Sequence, residues 1–445
     1  MKRSKKGSVI YKWILIGFFL RLILMPITFH PDLLEPYWCS YKVIDQHIFN
    51  LGRYIYDNFN ISGGNYLIVP AYLHTVFLWI FRPFLHIDNK IWLNNSNIIC
   101  FLSDFKAHIE TINLFASQQG IFKILFLFKL PYLFFDIACA FLLVKMIKDV
   151  EKQMVALKFW MVNFLTLFVI YMWGKYEIIP IFFILLSMYF ARRGRHNVSL
   201  LVLGISVLFR YYSLFFVLPF AFILGKTNRE RIKLVFLGFL PLAVLTLLVE
   251  GISPFRFGTQ LSGFFQLGLK GQFGFFLNKI TISSSFRTVS LYLFPIFYFL
   301  VLWHSYFFKN HPVCNIENYA LVILLFFYAT SNFYPQYFIW MMPFLTLLIV
   351  RKKYILIPHL IQILCFLIFA LDGGLFLVKL FLPINPSLIQ TSLHPPEVIR
   401  GLLHPFRDVI IDLSRSLFSA TSLWMLWLVV RDIQINLKGQ YEANL

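Results

Sequence analysis

The stretch His30-Pro31-Asp32-Leu33-Leu34-Glu35-Pro36-Tyr37-Trp38 sets two carboxylates, an imidazole and two large aromatics directly after the first apolar run of the chain. A carboxylate at such a boundary can serve as a general base toward a hydroxyl group, provided it lies within hydrogen-bond reach of the proton it takes. Asp32 and Glu35 make this the candidate catalytic loop.

Four further constellations carry polar groups beside apolar runs. Phe209-Arg210-Tyr211-Tyr212 interrupts an apolar stretch from Val198 to Leu224 that is long for one helix and short for two ordinary spans. An arginine keeps its charge and forms planar, bidentate contacts, so Arg210 at such a break suits a phosphate; snorkelling to the interface is the simpler alternative. In Trp173-Gly174-Lys175-Tyr176-Glu177 a short turn presents a cation and an anion, which serve either a ligand or a local ion pair. In Ser331-Asn332-Phe333-Tyr334-Pro335-Gln336-Tyr337-Phe338-Ile339-Trp340, Pro335 suits a first helical turn, and Gln336 and Trp340 then share a face at i, i+4. The loop 251–286 carries Arg256, Lys270 and Lys279, with Arg287 just beyond; these cations point to a phosphate bound near the membrane surface.

The elements that must position these groups are membrane helices. The chain has 445 residues, 59% of them hydrophobic and only 13% charged, a balance outside the range of soluble globular domains. Its net charge of +20 is carried by short basic clusters between apolar runs, a pattern of membrane topology and not of nucleic-acid binding. Five cysteines lie without metal-ligand or disulfide spacing. The first apolar run follows a basic N-terminus and precedes no small-residue cleavage site, so it reads as a retained anchor.

Twelve spans are expected, near 12–28, 121–147, 157–173, 177–192, 198–211, 213–225, 232–250, 287–308, 318–331, 335–350, 354–379 and 416–431. With the N-terminus inside, Lys145 to Lys152, Arg192 to Arg195, Lys226 to Lys233, Arg351 to Lys353 and Arg431 also fall inside. The expected fold is thus an all-α integral membrane bundle of about twelve helices, residues 1–445 forming one membrane domain with both termini cytoplasmic. A long first outer loop, 29–120, holds an interfacial or re-entrant helix from Tyr66 to Leu85, and 251–286 and 380–415 are further outer segments, the last with a short amphipathic helix from Val398 to Leu413. Lys129 and Asp136 lie seven apart on nearly one face of the second span. Asp136 there must be paired, neutral or facing a cavity, which fits either a structural ion pair or a proton relay.

These motifs resemble the GT-C superfamily of membrane glycosyltransferases, and within it the enzymes that add the first mannose to GPI anchors, with their prokaryotic relatives. Tyr334-Pro335-Gln336-Tyr337-Phe338-Ile339-Trp340 looks like that family's late Ser-x-Gln-Tyr-φ-x-Trp helix start. Trp173-Gly174-Lys175-Tyr176-Glu177 is similar to its Trp-Gly-Gln-x-Asp turn, with Lys175 for Gln and Glu177 for Asp, and Phe209-Arg210-Tyr211-Tyr212 to its Lys-x-x-Pro break, with Arg for Lys. Lys129-Leu130-Pro131 with Asp136 resembles a Lys-x-Pro…Asp span. His30-Pro31-Asp32 resembles the loop start of several branches and selects Asp32 as the acid, with Glu35 second. Alignment on Asp-x-x-x-Phe-x-x-x-Arg selects Asp45 instead.

The resemblance implies an inverting transfer of a sugar, with mannose favoured, from a polyprenyl phosphate to a hydroxyl of a glycolipid or glycan at the outer face of the bilayer. Asp32, Glu35 or Asp45 would supply the base, Arg210, Arg287 and Lys279 the contacts to the leaving phosphate, and Lys175, Glu177, Tyr334, Gln336 and Trp340 the substrate contacts. No cofactor or metal site is indicated, although the carboxylates could hold a divalent cation. A transporter or flippase for a lipid-linked saccharide, coupled through Asp136, is the alternative, and a membrane scaffold a third reading.

Overall fold

The computed structural model describes residues 2–49, 51, 54, 68–87, 105–250, 279–283, 288–307, 315–331, 333–372, 379–389 and 406–443. Among the described residues the chain is helical apart from one antiparallel hairpin, and it packs as two units.

The first unit comprises residues 1–140, 157–179 and 367–414. Its elements are α1 (Lys2–Ile27), α2 (Leu34–Gln46), α3 (Ile68–Phe81), α4 (Phe105–Ala116), most of α5 (Ile121–Met146), the second half of α6 (Val150–Val162) and α7, a short helix from Phe164 that widens into a π-turn over Leu167–Met172. On α1, Leu15, Phe19 and Ile23 face outward at i, i+4 spacing while Gly17, Arg21 and Met25 face inward. An exposed apolar stripe around a buried arginine is the arrangement expected where the surroundings are lipid. Gly17 sits so close to α6 that an added Cβ would meet Met161 Cβ at 2.7 Å, so a small residue is required there. Helix α5 turns Leu125, Phe128, Lys129, Tyr132, Asp136 and Cys139 inward and leaves Phe122, Phe134 and Phe141 outside.

The second unit comprises residues 141–156, 180–366 and 415–445. It contains α8 (Ile178–Arg192), α9 (His196–Phe209), α10 (Leu214–Leu224), α11 (Asn228–Glu250), the hairpin of β1 (Lys279–Ser283) and β2 (Thr288–Tyr292), α12 (Leu293–Phe307), α13 (Asn315–Thr330), α14 (Met342–Arg351), the first part of α15 (Leu356–Asp372) and most of α16 (Arg407–Ala443). Gly204 of α9 approaches the Gly238 carbonyl of α11, and a Cβ on Gly238 would meet Val217 Cγ1 of α10 at 2.5 Å. Glycines at both contacts let three apolar helices pack backbone to backbone.

One end of this unit is a charge network. Arg192 at the end of α8 donates to Glu317 at the start of α13 (2.7 Å), and Arg351 at the end of α14 lies 3.3 Å from the same carboxylate. Asn318 links Arg351 to Asp432 of α16, which also pairs with Lys352. Glu317 is buried, and two arginines beside it offset the cost of keeping its charge there. The basic ends of α8 and α14 therefore share one side with the start of α13 and with Asp432 of α16.

Among the described residues two helices, Ile121–Met146 and Arg407–Ile435, are long and apolar enough to cross a membrane. Counting each of two bent pairs as one span gives up to four, and six shorter apolar helices accompany them. Several elements differ from the sequence expectation. The expected span 287–308 begins only at Leu293, because Thr288–Tyr292, rich in β-branched and aromatic residues, pairs with Lys279–Ser283. The expected short amphipathic helix and the last span run together as α16 from Arg407 onward, no Pro or Gly intervening between Arg407 and Leu437 to break it. The expected break at Arg210 is present: its extended backbone separates α9 from the turn Tyr211–Ser213 that leads into α10.

Candidate active site

Asp32 lies where α1 gives way to α2 through a sharp change of direction of 94°. Thr28, Phe29 and His30 lie outside any helix, His30 with extended backbone, and the Phe29 N–H donates to the Leu380 carbonyl (2.8 Å). His30 then caps the turn Pro31–Leu33, its Nδ1 accepting the Asp32 N–H at 3.2 Å. Pro31 at the first position of this turn has no N–H left to satisfy.

The partner strand of the site comes from the end of α7. Its π-turn and the bonds Trp173 N–H to Phe168 O and Lys175 N–H to Val169 O unwind the helix one residue at a time. Gly174 completes the turn at φ +80°, and a Cβ there would meet Leu33 Cδ1 at 3.2 Å. The positive φ favours glycine, and a Cβ would in addition press on the Leu33 side chain. The result brings Trp173 and Lys175 onto Asp32: the Lys175 ammonium pairs with Asp32 Oδ2, Trp173 Nε1 lies 3.3 Å from the same oxygen, and His30 Nδ1 3.5 Å from it. The His30 and Trp173 rings are in contact, with centroids 4.8 Å apart. All these contacts fall on Oδ2; Asp32 Oδ1 makes none among the described residues.

The Asp32 side chain keeps 23% of its exposure, whereas Lys175 keeps 9%. Burial alone would raise the Asp32 carboxyl, but the Lys175 charge and the hydrogen bonds from Lys175 and Trp173 outweigh it and hold the group well below the usual carboxylate range. Asp32 is therefore an anion at any physiological pH. Beside this cluster, the Tyr176 ring meets His74 of α3, centroids 6.0 Å apart. His74 Nδ1 lies 2.5 Å from the Pro70 carbonyl and must donate to it, so Nε2 accepts from Tyr132 OH at 2.8 Å.

The remaining carboxylates are placed differently. Glu35 is half-buried in the first turn of α2. Asp45, eleven residues after Leu34 and so about 17 Å further along that helix, is exposed and paired with Arg82 beyond α3. An exposed pair of this kind contributes little stability. Glu177 is fully buried just ahead of α8, and Lys175 pairs with Asp32, not with the neighbouring Glu177.

In the second unit, Arg210 is buried at the α9–α10 break, which Ser206 pins by bonding Ser213 Oγ (2.7 Å) and the Pro180 carbonyl (3.1 Å). Pro335–Met341 forms a 3₁₀ turn in place of the expected α-helical start. In that geometry i and i+3 eclipse, so Trp340 stacks on Tyr337 (4.1 Å) and Gln336 turns away from it. Trp340 is sandwiched on its other face by Tyr212 (4.0 Å, 11°) and is 3% exposed, so both faces of its ring pack the turn. Tyr334 is exposed, and Gln336 is buried with Oε1 unpaired among the described residues. Arg287 lies outside the described residues; Lys279 opens β1, and its side chain lies outside them as well.

Asp136 is locked. It accepts from Arg21 Nε (2.5 Å), Trp160 Nε1 (2.6 Å) and Tyr171 OH (2.6 Å), all buried, and Arg21 also donates to the Gly17 and Met161 carbonyls. Arg21 was not singled out by sequence reasoning; the signal available was a lone arginine inside the apolar run Trp13 to Phe29. His74 and Tyr132 were likewise missed, because neither spacing nor charge distinguishes them from an aromatic belt. Among the described residues no group of three His, Cys, Asp or Glu side chains could hold a metal ion. Set against protein families, curated proteins and solved structures, the chain matches none.

Proposed function

We propose that this chain is a multi-pass membrane glycosyltransferase that moves a sugar, with mannose favoured, from a polyprenyl phosphate to a hydroxyl of a glycolipid or glycan at the outer face of the bilayer. The observation that carries the reading is the Asp32 carboxylate: an anion at the end of an apolar helix, whose contacts among the described residues all fall on Oδ2, with Oδ1 proposed to accept a proton. Asp32 Oδ1 takes the acceptor O–H proton as the acceptor oxygen bonds to the anomeric carbon from the face opposite the leaving group. The bond between that carbon and the phosphate oxygen breaks, and its electron pair leaves with the polyprenyl phosphate.

Arg210 remains the proposed phosphate ligand by its permanent charge and its place at a helix break, with Lys279 and Arg287 as further cations. Twelve spans and cytoplasmic termini belong to the same proposal, and the shared side of the basic ends of α8 and α14 supports that orientation within the second unit. The flippase alternative required Asp136 to exchange a proton, and three donors converging on it support a structural role instead.

The test is transfer by the purified protein in detergent, with radiolabelled polyprenyl-phosphate mannose and, separately, glucose as donor and membrane lipid extract as acceptor. Labelled glycolipid is the expected product. Donor movement across reconstituted vesicles without any labelled product would replace the proposal with the flippase.

A further inference from the structure

Lys129 is fully buried on α5, and among the described residues it forms no ion pair. An amine taken out of water and away from any carboxylate is costly, so its one set of contacts must account for its presence. Those contacts are with a single residue. Nζ lies 2.5 Å from the Thr28 carbonyl and 3.1 Å from Thr28 Oγ1.

Thr28 is the first residue past α1, where the last helical carbonyls have no donors of their own and the helix dipole is negative. It is also four residues from Asp32. Between them the backbone is fixed at two more points, Phe29 N–H on the Leu380 carbonyl and the Asp32 N–H on His30 Nδ1. Lys129 holds the upstream end of this short segment, Leu380 its middle and His30 its downstream end. The single proton of the Thr28 hydroxyl is shared between the Leu24 carbonyl (2.6 Å) and the Tyr171 carbonyl (2.9 Å), and the second of these places the same point against the turn that delivers Trp173 and Lys175.

We infer that Lys129 is a positioning residue for Asp32: by anchoring the Thr28 carbonyl at the end of α1, it sets where the Asp32 carboxylate stands against Lys175. Lys129 touches neither Asp32 nor substrate and acts only through the backbone. The inference rests on reading Asp32 as the base, and it predicts a local consequence that can be read without any transfer assay. If the anchor is lost, the Asp32–Lys175 pair loosens and the Lys175 side chain, now shielded, opens to a reagent that captures its free amine.

The experiment compares the rate at which a small water-soluble amine reagent modifies Lys175 in folded, detergent-purified wild type, Lys129→Met and, as the fully unpaired reference, Asp32→Asn, read by peptide mass spectrometry. The expected result is modification about tenfold faster in Lys129→Met than in wild type, the change that a lost hydrogen bond to a charged group makes in an opening equilibrium. In the transfer assay the same variant should lower kcat and leave the donor KM unchanged. Should Lys129→Met fail to fold, Lys129→Gln, shorter by one bond and uncharged, carries the same comparison. Modification of Lys175 at the wild-type rate in the folded variant would overturn the inference. Failure of wild type to transfer any sugar would overturn the enzyme reading and leave the labelling result standing.

Discussion

Removing the Arg21–Asp136 pair piecewise tests whether Asp136 is structural. Arg21→Met leaves a buried carboxylate held only by Trp160 Nε1 and Tyr171 OH, and Asp136→Leu leaves a buried guanidinium with only the Gly17 and Met161 carbonyls. Stranding one member of a buried pair costs about 3–5 kcal/mol, so each single variant should lose that much stability. The double variant strands no charge. It still deprives Trp160 and Tyr171 of their acceptor, at about 1–3 kcal/mol each, so it should be destabilised, yet less than the sum of the singles by about 3 kcal/mol. Unfolding in mixed detergent micelles, followed by tryptophan emission, measures all four corners of the cycle. The double variant should also retain sugar transfer. Strict additivity, or loss of function in the folded double variant, would refute the structural role and return Asp136 to the proton-coupled carrier.

The Asp32 carboxyl has its proton affinity lowered in the folded chain, so the stabilisation it brings is fully present above the unfolded-chain value of about 3.9 and is lost as pH falls through the lower folded one. The emission of Trp173, isolated as the difference between wild type and Trp173→Phe, should accordingly stay constant down through the ordinary aspartate range. In Lys175→Met the transition should move to higher pH, and an unmoved transition would show that Lys175 does not set it. In the second unit, Glu317→Gln removes the shared partner of Arg192 and Arg351, whose side chains are 27% and 28% exposed and so remain partly hydrated. It should lower stability by about 2–3 kcal/mol, less than for a fully buried pair; an unchanged unfolding midpoint would mean that this network holds nothing together.

Much of the helical layout was legible because apolar length alone marks it: α5 occupies almost the stretch expected of the second span, and the break at Arg210 follows from a charge inside a run too short for two ordinary helices. The hairpin before α12 was not legible, because strand-forming residues beside an apolar helix extend its hydropathy signal without changing its sign. Asp32 and Lys175 could each be named from type and boundary, but their pairing across 143 positions could not. That pairing depends on a π-turn and a glycine at positive φ, and neither leaves a periodic trace. The face expected to be shared by Gln336 and Trp340 was misread for a related reason: a 3₁₀ turn replaces the α-helical face that i, i+4 spacing assumes, and Tyr212, distant in sequence, fills the other side of the Trp340 ring. Lys129 and Asp136 looked like neighbours on one helix, yet each is satisfied by α1 or the residue that follows it, through Thr28 and Arg21.

The central claim is that Asp32 Oδ1 takes the acceptor proton, and single-turnover transfer by Asp32→Asn, set beside Asp45→Asn, tests it most directly. The asparagine keeps the shape of the side chain and loses the charge. The account predicts that Asp32→Asn slows transfer about 10²- to 10⁴-fold, the range for a lost general base, while Asp45→Asn stays near wild type because Asp45 only pairs with Arg82 at the surface. A wild-type rate in Asp32→Asn, or the loss falling on Asp45→Asn instead, would contradict it.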